Sequence, residues 1–139
     1  VGSKGSELDT KPLLQIALAA RKQVLVPITR PGGAMYWSRL KRLSDLEFTP
    51  RGILEPYTDS IDLVAADGGL CVVPGVCFRS DGHRIGFGGG YYDRFLSHYE
   101  GDAVALAPEA LFGVAFPVER HDRTVSVVFT EATTHLTSE

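Results

Sequence analysis

Apolar residues at Leu13, Leu14, Ala17, Leu18 and Ala20 recur at helical spacing behind Thr10, a residue type that caps helix starts. The pattern predicts a helix from Thr10 through Arg21 or Lys22, with those two cations in its last turn. Val24 to Ile28 is a short β-branched run and reads as a strand. Pro31-Gly32-Gly33 turns the chain into a second extended segment, Met35 to Leu40. Phe48 to Thr58 carries two prolines and reads as an ordered loop. Ile61 to Ala65 and Leu70 to Val73, separated by Asp67-Gly68-Gly69, are apolar runs that either one fits as a buried strand. Asp81-Gly82 marks a turn, Tyr92 to Tyr99 has helical spacing, and Leu111 to Phe116 and Thr124 to Phe129 read as closing strands. Helices interleaved with short apolar strands predict an α/β fold, a layered single domain over residues 1–139 around a mainly parallel sheet.

Composition narrows the classes. The chain has 139 residues, 44% of them hydrophobic, enough for one folded core. No apolar stretch approaches the ~20 residues of a membrane span, so no membrane partner is expected. Net charge is −3, which argues against a general nucleic-acid binder. The total hides an asymmetry: residues 1–51 hold nine Lys/Arg and four Asp/Glu, leaving five and thirteen for the rest. Arg39, Lys41 and Arg42 beside Tyr36 and Trp37 are either a solvated face or an anion-binding strip. Two cysteines, Cys71 and Cys77, are too few for a disulfide scaffold or a zinc ribbon, and a reducing compartment is the simplest setting. The sequence opens on Val1, which is not an initiator methionine, so the lack of a signal or transit peptide decides little; a cytoplasmic location is expected, a mitochondrial address staying open, and so is a monomer.

Glycine carries the chemistry. Of 15 glycines, four fall within the five positions Gly86 to Gly90, inside Arg84-Ile85-Gly86-Phe87-Gly88-Gly89-Gly90-Tyr91-Tyr92-Asp93-Arg94. Such a run forfeits backbone entropy and suits a sharp turn or a close approach to a ligand. Its N–H groups, leading into a helix, suit an anion, and Arg84 can add a charge-assisted bond to a phosphate. The known phosphate motifs fit badly. A dinucleotide fingerprint needs glycine where Tyr91 stands, and a P-loop needs a Lys-Ser/Thr pair that is absent. A purely structural strand-to-helix turn therefore stays open. Asp93 is either a helix cap or a magnesium ligand, and Asp122, beside His121, is a second candidate carboxylate or a turn residue. Tyr91, Tyr92 and Trp37 offer flat faces to an aromatic ligand, or pack in a core.

The stretch Arg84 to Arg94 resembles the signature of the 5-formyltetrahydrofolate cyclo-ligase family, also called 5,10-methenyltetrahydrofolate synthetases. Glu7-Leu8-Asp9-Thr10, Gly52-Ile53-Leu54-Glu55-Pro56, Val73 to Phe78, Val118 to Asp122 and Thr130-Glu131 agree in order, so the likeness covers essentially the whole chain. The resemblance implies an enzyme that uses ATP and Mg²⁺ to close 5-formyltetrahydrofolate to the 5,10-methenyl form, releasing ADP and phosphate. It implies Arg84, Tyr91 and Asp93 as catalytic residues. ATP would be held by Arg84, Ile85, Gly86, Phe87, Gly88, Gly89, Gly90, Tyr91 and Tyr92. Folate would meet Glu7 and Phe87 to Tyr91, with Met35, Trp37 and Glu55-Pro56 weaker candidates, and Asp93 and Asp122 would hold magnesium. Members of the family usually begin with a Lys/Arg-bearing helix and a first strand, and this sequence is expected to begin after most of both. Extra residues surround Asp67-Gly68-Gly69, and Arg79 stands where an aspartate is common. A non-catalytic relative that binds folate or nucleotide, or serves as an interaction module, is the alternative.

Overall fold

The computed structural model describes residues 9–50 and 52–137. Glu7 lies outside the described residues. Those described fall into two compact units, divided between Ala66 and Asp67.

The first unit opens with helix α1, Lys11–Ala19. Its entry differs from a simple Thr10 cap. The Thr10 side chain makes no capping bond; instead Asp9 Oδ1 accepts the Lys11 N–H at 3.0 Å. The helix ends two or three residues earlier than its apolar spacing predicts. Arg21 has φ +61, a left-handed conformation that stops the helix, so Arg21 and Lys22 lie beyond its last turn. Strands β1, Val24–Thr29, and β2, Met35–Leu40, form an antiparallel hairpin in the register Val24↔Leu40 to Thr29↔Met35. Gly32 and Gly33, with φ of 87 and 93, make the turn at Pro31-Gly32-Gly33 possible. Alternation puts Val24, Val26, Ser38 and Leu40 on the core face, where Leu14, Ala17 and Leu18 of α1 pack against Val24, Val26 and Leu40. Each fully buried valine or leucine there is worth roughly 1.5–3 kcal/mol. The buried Ser38 hydroxyl is satisfied, accepting the Asp62 N–H at 2.9 Å.

The segment read as a loop holds a strand. After β3, Leu46–Phe48, comes β4, Leu54–Pro56, paired antiparallel to it and buried throughout. Glu55 is buried because its carboxylate accepts the Thr29 N–H at 3.0 Å and pairs with Arg30 at 3.2 Å. Strand β5, Leu63–Val64, adds to β2, with Leu63 largely exposed rather than buried. In the basic strip, Arg39 pairs with Asp62 at 3.6 Å and Arg42 with Asp45 at 3.4 Å.

The second unit carries the parallel pairing that the α/β pattern predicts. Strand β6, Leu70–Val72, runs parallel to β9, Asp102–Leu106, which runs parallel to β10, Val127–Phe129; β11, Thr134–Leu136, closes the sheet antiparallel. Between β6 and β9 lie the small hairpin β7, Cys77–Phe78, and β8, Arg84–Ile85, then helix α2, Tyr91–Leu96. Asp81-Gly82 is the hairpin turn: Gly82 has φ +91, and a side chain there would meet the Val125 carbonyl and Thr137. Leu111 to Phe116 is not a strand. It is a 3-10 turn, Glu109–Leu111, followed by a single parallel bridge from Phe112 to Phe78. Thr124 to Phe129 contributes only its last three residues to the sheet. Phe78 is fully buried, and a Cβ on Gly75 would stand 2.8 Å from its ring, so glycine at 75 makes the space the ring occupies. No helix among the described residues is long and apolar enough to cross a membrane.

Candidate functional site

Strand β8 delivers Arg84 directly to the glycine run. The arginine side chain is only 6% exposed, donating to the Pro74 carbonyl at 3.2 Å with its guanidinium 5.6 Å from the Tyr92 ring centroid. A Cβ on Gly86 would lie 2.8 Å from Arg84 Nη1, so glycine is the residue that lets the guanidinium lie against the loop. Burial pulls the Arg84 pKa below its ordinary value, while electrostatic interaction with Asp93 foremost, and then with Tyr92, Cys71 and Asp122, opposes that shift. Its Nε is buried and has no hydrogen-bond partner among the described residues.

Gly88, Gly89 and Gly90 have φ of 101, 81 and 64, three consecutive residues in the region that favours glycine. The loop from Gly86 to Gly90 is exposed, Phe87 to 58%. Tyr91, Tyr92 and Asp93 follow in the first turn of α2 and are half-buried. The helix begins at Gly90 without any side-chain cap. Asp93 is therefore not a capping residue. Its Oδ1 accepts the Arg123 N–H at 3.0 Å and lies 3.6 Å from Arg84 Nη2, tying the helix to a segment thirty residues away.

Asp122 belongs to a local turn: its Oδ2 accepts the Glu119 N–H at 2.8 Å, and its Oδ1 lies 3.5 Å from His121 Nε2. Glu119, His121 and Asp122 present ligand atoms within 4.8 Å of one another. Asp93 lies beside Arg84 and holds the amide of Arg123, the residue after Asp122, so the predicted cation and both carboxylates share one neighbourhood of the second unit. Met35 and Trp37 lie in the first unit, half-buried on one face of β2, opposite Thr29 and Pro27. Glu55-Pro56 is in the first unit as strand β4. A cavity of about 650 Å³ in the second unit is lined by His83, Tyr99, Asp102, Arg123 and Thr137 among others, and includes none of the glycine-loop residues.

Four residues around the site had no assignment from sequence. Glu119 and His121 lie just before Asp122, and the Arg123 amide holds Asp93. Arg94 returns from α2 to donate to the Gly89 carbonyl, its guanidinium 5.6 Å from the Tyr91 ring centroid. The signal for Arg94 was its place three residues after Tyr91, on the same helix face. No sequence rule points to a backbone amide such as that of Arg123.

Comparison with known proteins places the chain in a family. Residues 2–131 match the model of the 5-formyltetrahydrofolate cyclo-ligase family. The 5-formyltetrahydrofolate cyclo-ligase of Escherichia coli is 32% identical over 130 residues, covering 89% of this chain and 71% of that protein. The mitochondrial 5-formyltetrahydrofolate cyclo-ligase of Arabidopsis thaliana is 30% identical over 151 residues, covering 90% of this chain and 54% of that one. The NMR structure of Aquifex aeolicus 5,10-methenyltetrahydrofolate synthetase superposes with a TM-score of 0.74 at 27% identity, covering 99% of this chain and 70% of the other.

Proposed function

Because the chain belongs to the 5-formyltetrahydrofolate cyclo-ligase family, we propose that it closes 5-formyltetrahydrofolate to 5,10-methenyltetrahydrofolate, using ATP and Mg²⁺ and releasing ADP and phosphate. The observation that carries this reading is the buried Arg84 guanidinium lying against the missing side chain of Gly86, at the foot of a loop of three positive-φ glycines. That is a cation placed beside backbone which a polyanion can approach closely.

An amide oxygen is a poor leaving group, so it must be converted to a better one. The formyl oxygen attacks the γ-phosphorus, forming a P–O bond while the bond to the ADP oxygen breaks. N10 then adds to the activated carbon, the phosphate departs with the former formyl oxygen, and the N10 proton is lost. Such a sequence asks the protein for alignment and charge stabilisation. Arg84, held by Pro74 and Tyr92, supplies fixed positive charge to the transferring phosphoryl group. The loop from Gly86 to Tyr92 brings backbone to the phosphates, and Phe87 to Tyr91 present the exposed Phe87 face and the Tyr91 ring to folate. Met35 and Trp37 are proposed as folate contacts, as is Glu7.

The donor set fits Mg²⁺: Asp93 and Asp122 offer hard carboxylate oxygens, with Glu119 beside Asp122. Bound to them, the ion would neutralise phosphate charge. Retention of Arg84, Asp93 and Asp122 weighs against a binding module without catalysis. The test is direct, since methenyltetrahydrofolate absorbs in the near ultraviolet. Folded protein given 5-formyltetrahydrofolate, ATP and Mg²⁺ should generate that absorbance, and a flat trace with nucleotide still bound would favour the binding module.

A further inference from the structure

Arg94 grips the glycine loop from the far side of Tyr91. Its backbone N–H donates to the Gly90 carbonyl at 3.1 Å, and its guanidinium donates to the Gly89 carbonyl. The same guanidinium lies 5.6 Å from the Tyr91 ring centroid, and a Cβ on Gly90 would stand 3.2 Å from Nη1. The residue is exposed, so core packing does not account for these contacts.

Two consecutive carbonyls are thereby turned toward one residue. In a trans peptide the C=O and the following N–H point in opposite directions. The Gly90 carbonyl is held by the Arg94 backbone N–H, as any residue there would hold it, whereas the Gly89 carbonyl is held by the guanidinium, which sends the Gly90 N–H to the other side of the loop. Without that grip, three glycines with φ of 101, 81 and 64 have wide conformational freedom, and ordering them would fall to the ligand.

We infer that Arg94 is a positioning residue: it aims the loop's N–H groups at the phosphates of the nucleotide and acts on the loop, not on the substrate. This rests on the proposal that the loop holds ATP. A single-donor contact from a charged group to a carbonyl, once lost, should weaken binding about tenfold. Because Arg94 is exposed, the thermal midpoint should move little.

The test begins with ADP and Mg²⁺ titrated into the unaltered chain. Absence of saturable binding there would remove the nucleotide reading itself. Given binding, Arg94→Ala should weaken it about tenfold with an unchanged melting midpoint. Gly89→Ala displaces the loop without touching charge, since its Cβ would run into the Tyr91 ring. The double variant should then bind no worse than the weaker single variant. Fully additive losses would make Arg94 a direct phosphate ligand and overturn the inference, as would unchanged affinity in Arg94→Ala. Amide exchange in the ligand-free protein decides the matter even if Gly89→Ala does not fold. Exchange at Gly90, whose N–H shares a peptide with the Gly89 carbonyl that the guanidinium holds, should quicken in Arg94→Ala, and an unchanged rate there would sink the proposal.

Discussion

Asp93 Oδ1 lies 3.6 Å from Nη2 of Arg84, a side chain only 6% exposed. The pair offsets the cost of burying the guanidinium, while the same oxygen holds the Arg123 amide at 3.0 Å. Asp93 thus joins β8, α2 and the segment before β10. A carboxylate in that position serves the fold before any ligand arrives.

Asp93→Asn separates the two roles. Asparagine keeps an acceptor for the Arg123 amide but loses the charge facing Arg84. Turnover in the methenyl assay should fall about a hundredfold. Stability should drop by about 1–3 kcal/mol, because a buried cation loses its partner. Urea unfolding alongside kinetics measures both, and normal turnover would end the metal assignment of Asp93.

Gly75→Ala should cost about 1–3 kcal/mol through overpacking, since the new methyl would sit 2.8 Å from the buried Phe78 ring. An unchanged urea midpoint would mean that the ring has room to move aside.

Glu109 fastens the 3-10 turn to the β10–β11 hairpin, accepting the Thr130 hydroxyl at 2.6 Å and meeting His135 Nε2 at 2.8 Å. Hydrogen bonds from His135 and Thr130 hold its pKa below the ordinary 4.5, despite an opposing effect of burial. A depressed carboxylate contributes stability that is complete above 4.5 and is lost as pH falls through the lower folded value. The wild-type melting advantage over Glu109→Gln should therefore hold at about pH 6 and shrink progressively as the pH is taken below 4.5. A pH-independent difference would assign the effect to packing alone.

Burial pushes the Cys71 thiol up to about 11 from 9.0. Its thiolate is then scarce at neutral pH, and native Cys71 should resist iodoacetamide at about pH 8 while unfolded chain reacts readily. The stability linked to the raised value is present below 9.0 and is lost as pH rises through about 11. Peptide mapping after labelling reads this out, and native modification at the unfolded rate would refute it.

Local chemistry determined much of this protein in advance. The periodicity of Leu14, Ala17 and Leu18, the Pro31-Gly32-Gly33 and Asp81-Gly82 turns, and the glycine run before α2 are legible because each depends on neighbours within a few residues. The resemblance carried by Arg84 to Arg94 lies in one contiguous stretch for the same reason. Tertiary structure decided what depends on distant partners. Leu54–Pro56 becomes a strand because Leu46–Phe48 pairs with it, whereas its proline suggested a loop. Asp102–Leu106 is sandwiched between two parallel strands, β6, Leu70–Val72, and β10, Val127–Phe129, both far from it along the chain. Leu111 to Phe116 is apolar enough for a strand but finds only the single bridge from Phe112 to Phe78. Asp93 could be read locally as a helix cap; the amide of Arg123 and the buried charge of Arg84 claim it instead, because pairing a buried cation outweighs a cap on an exposed turn.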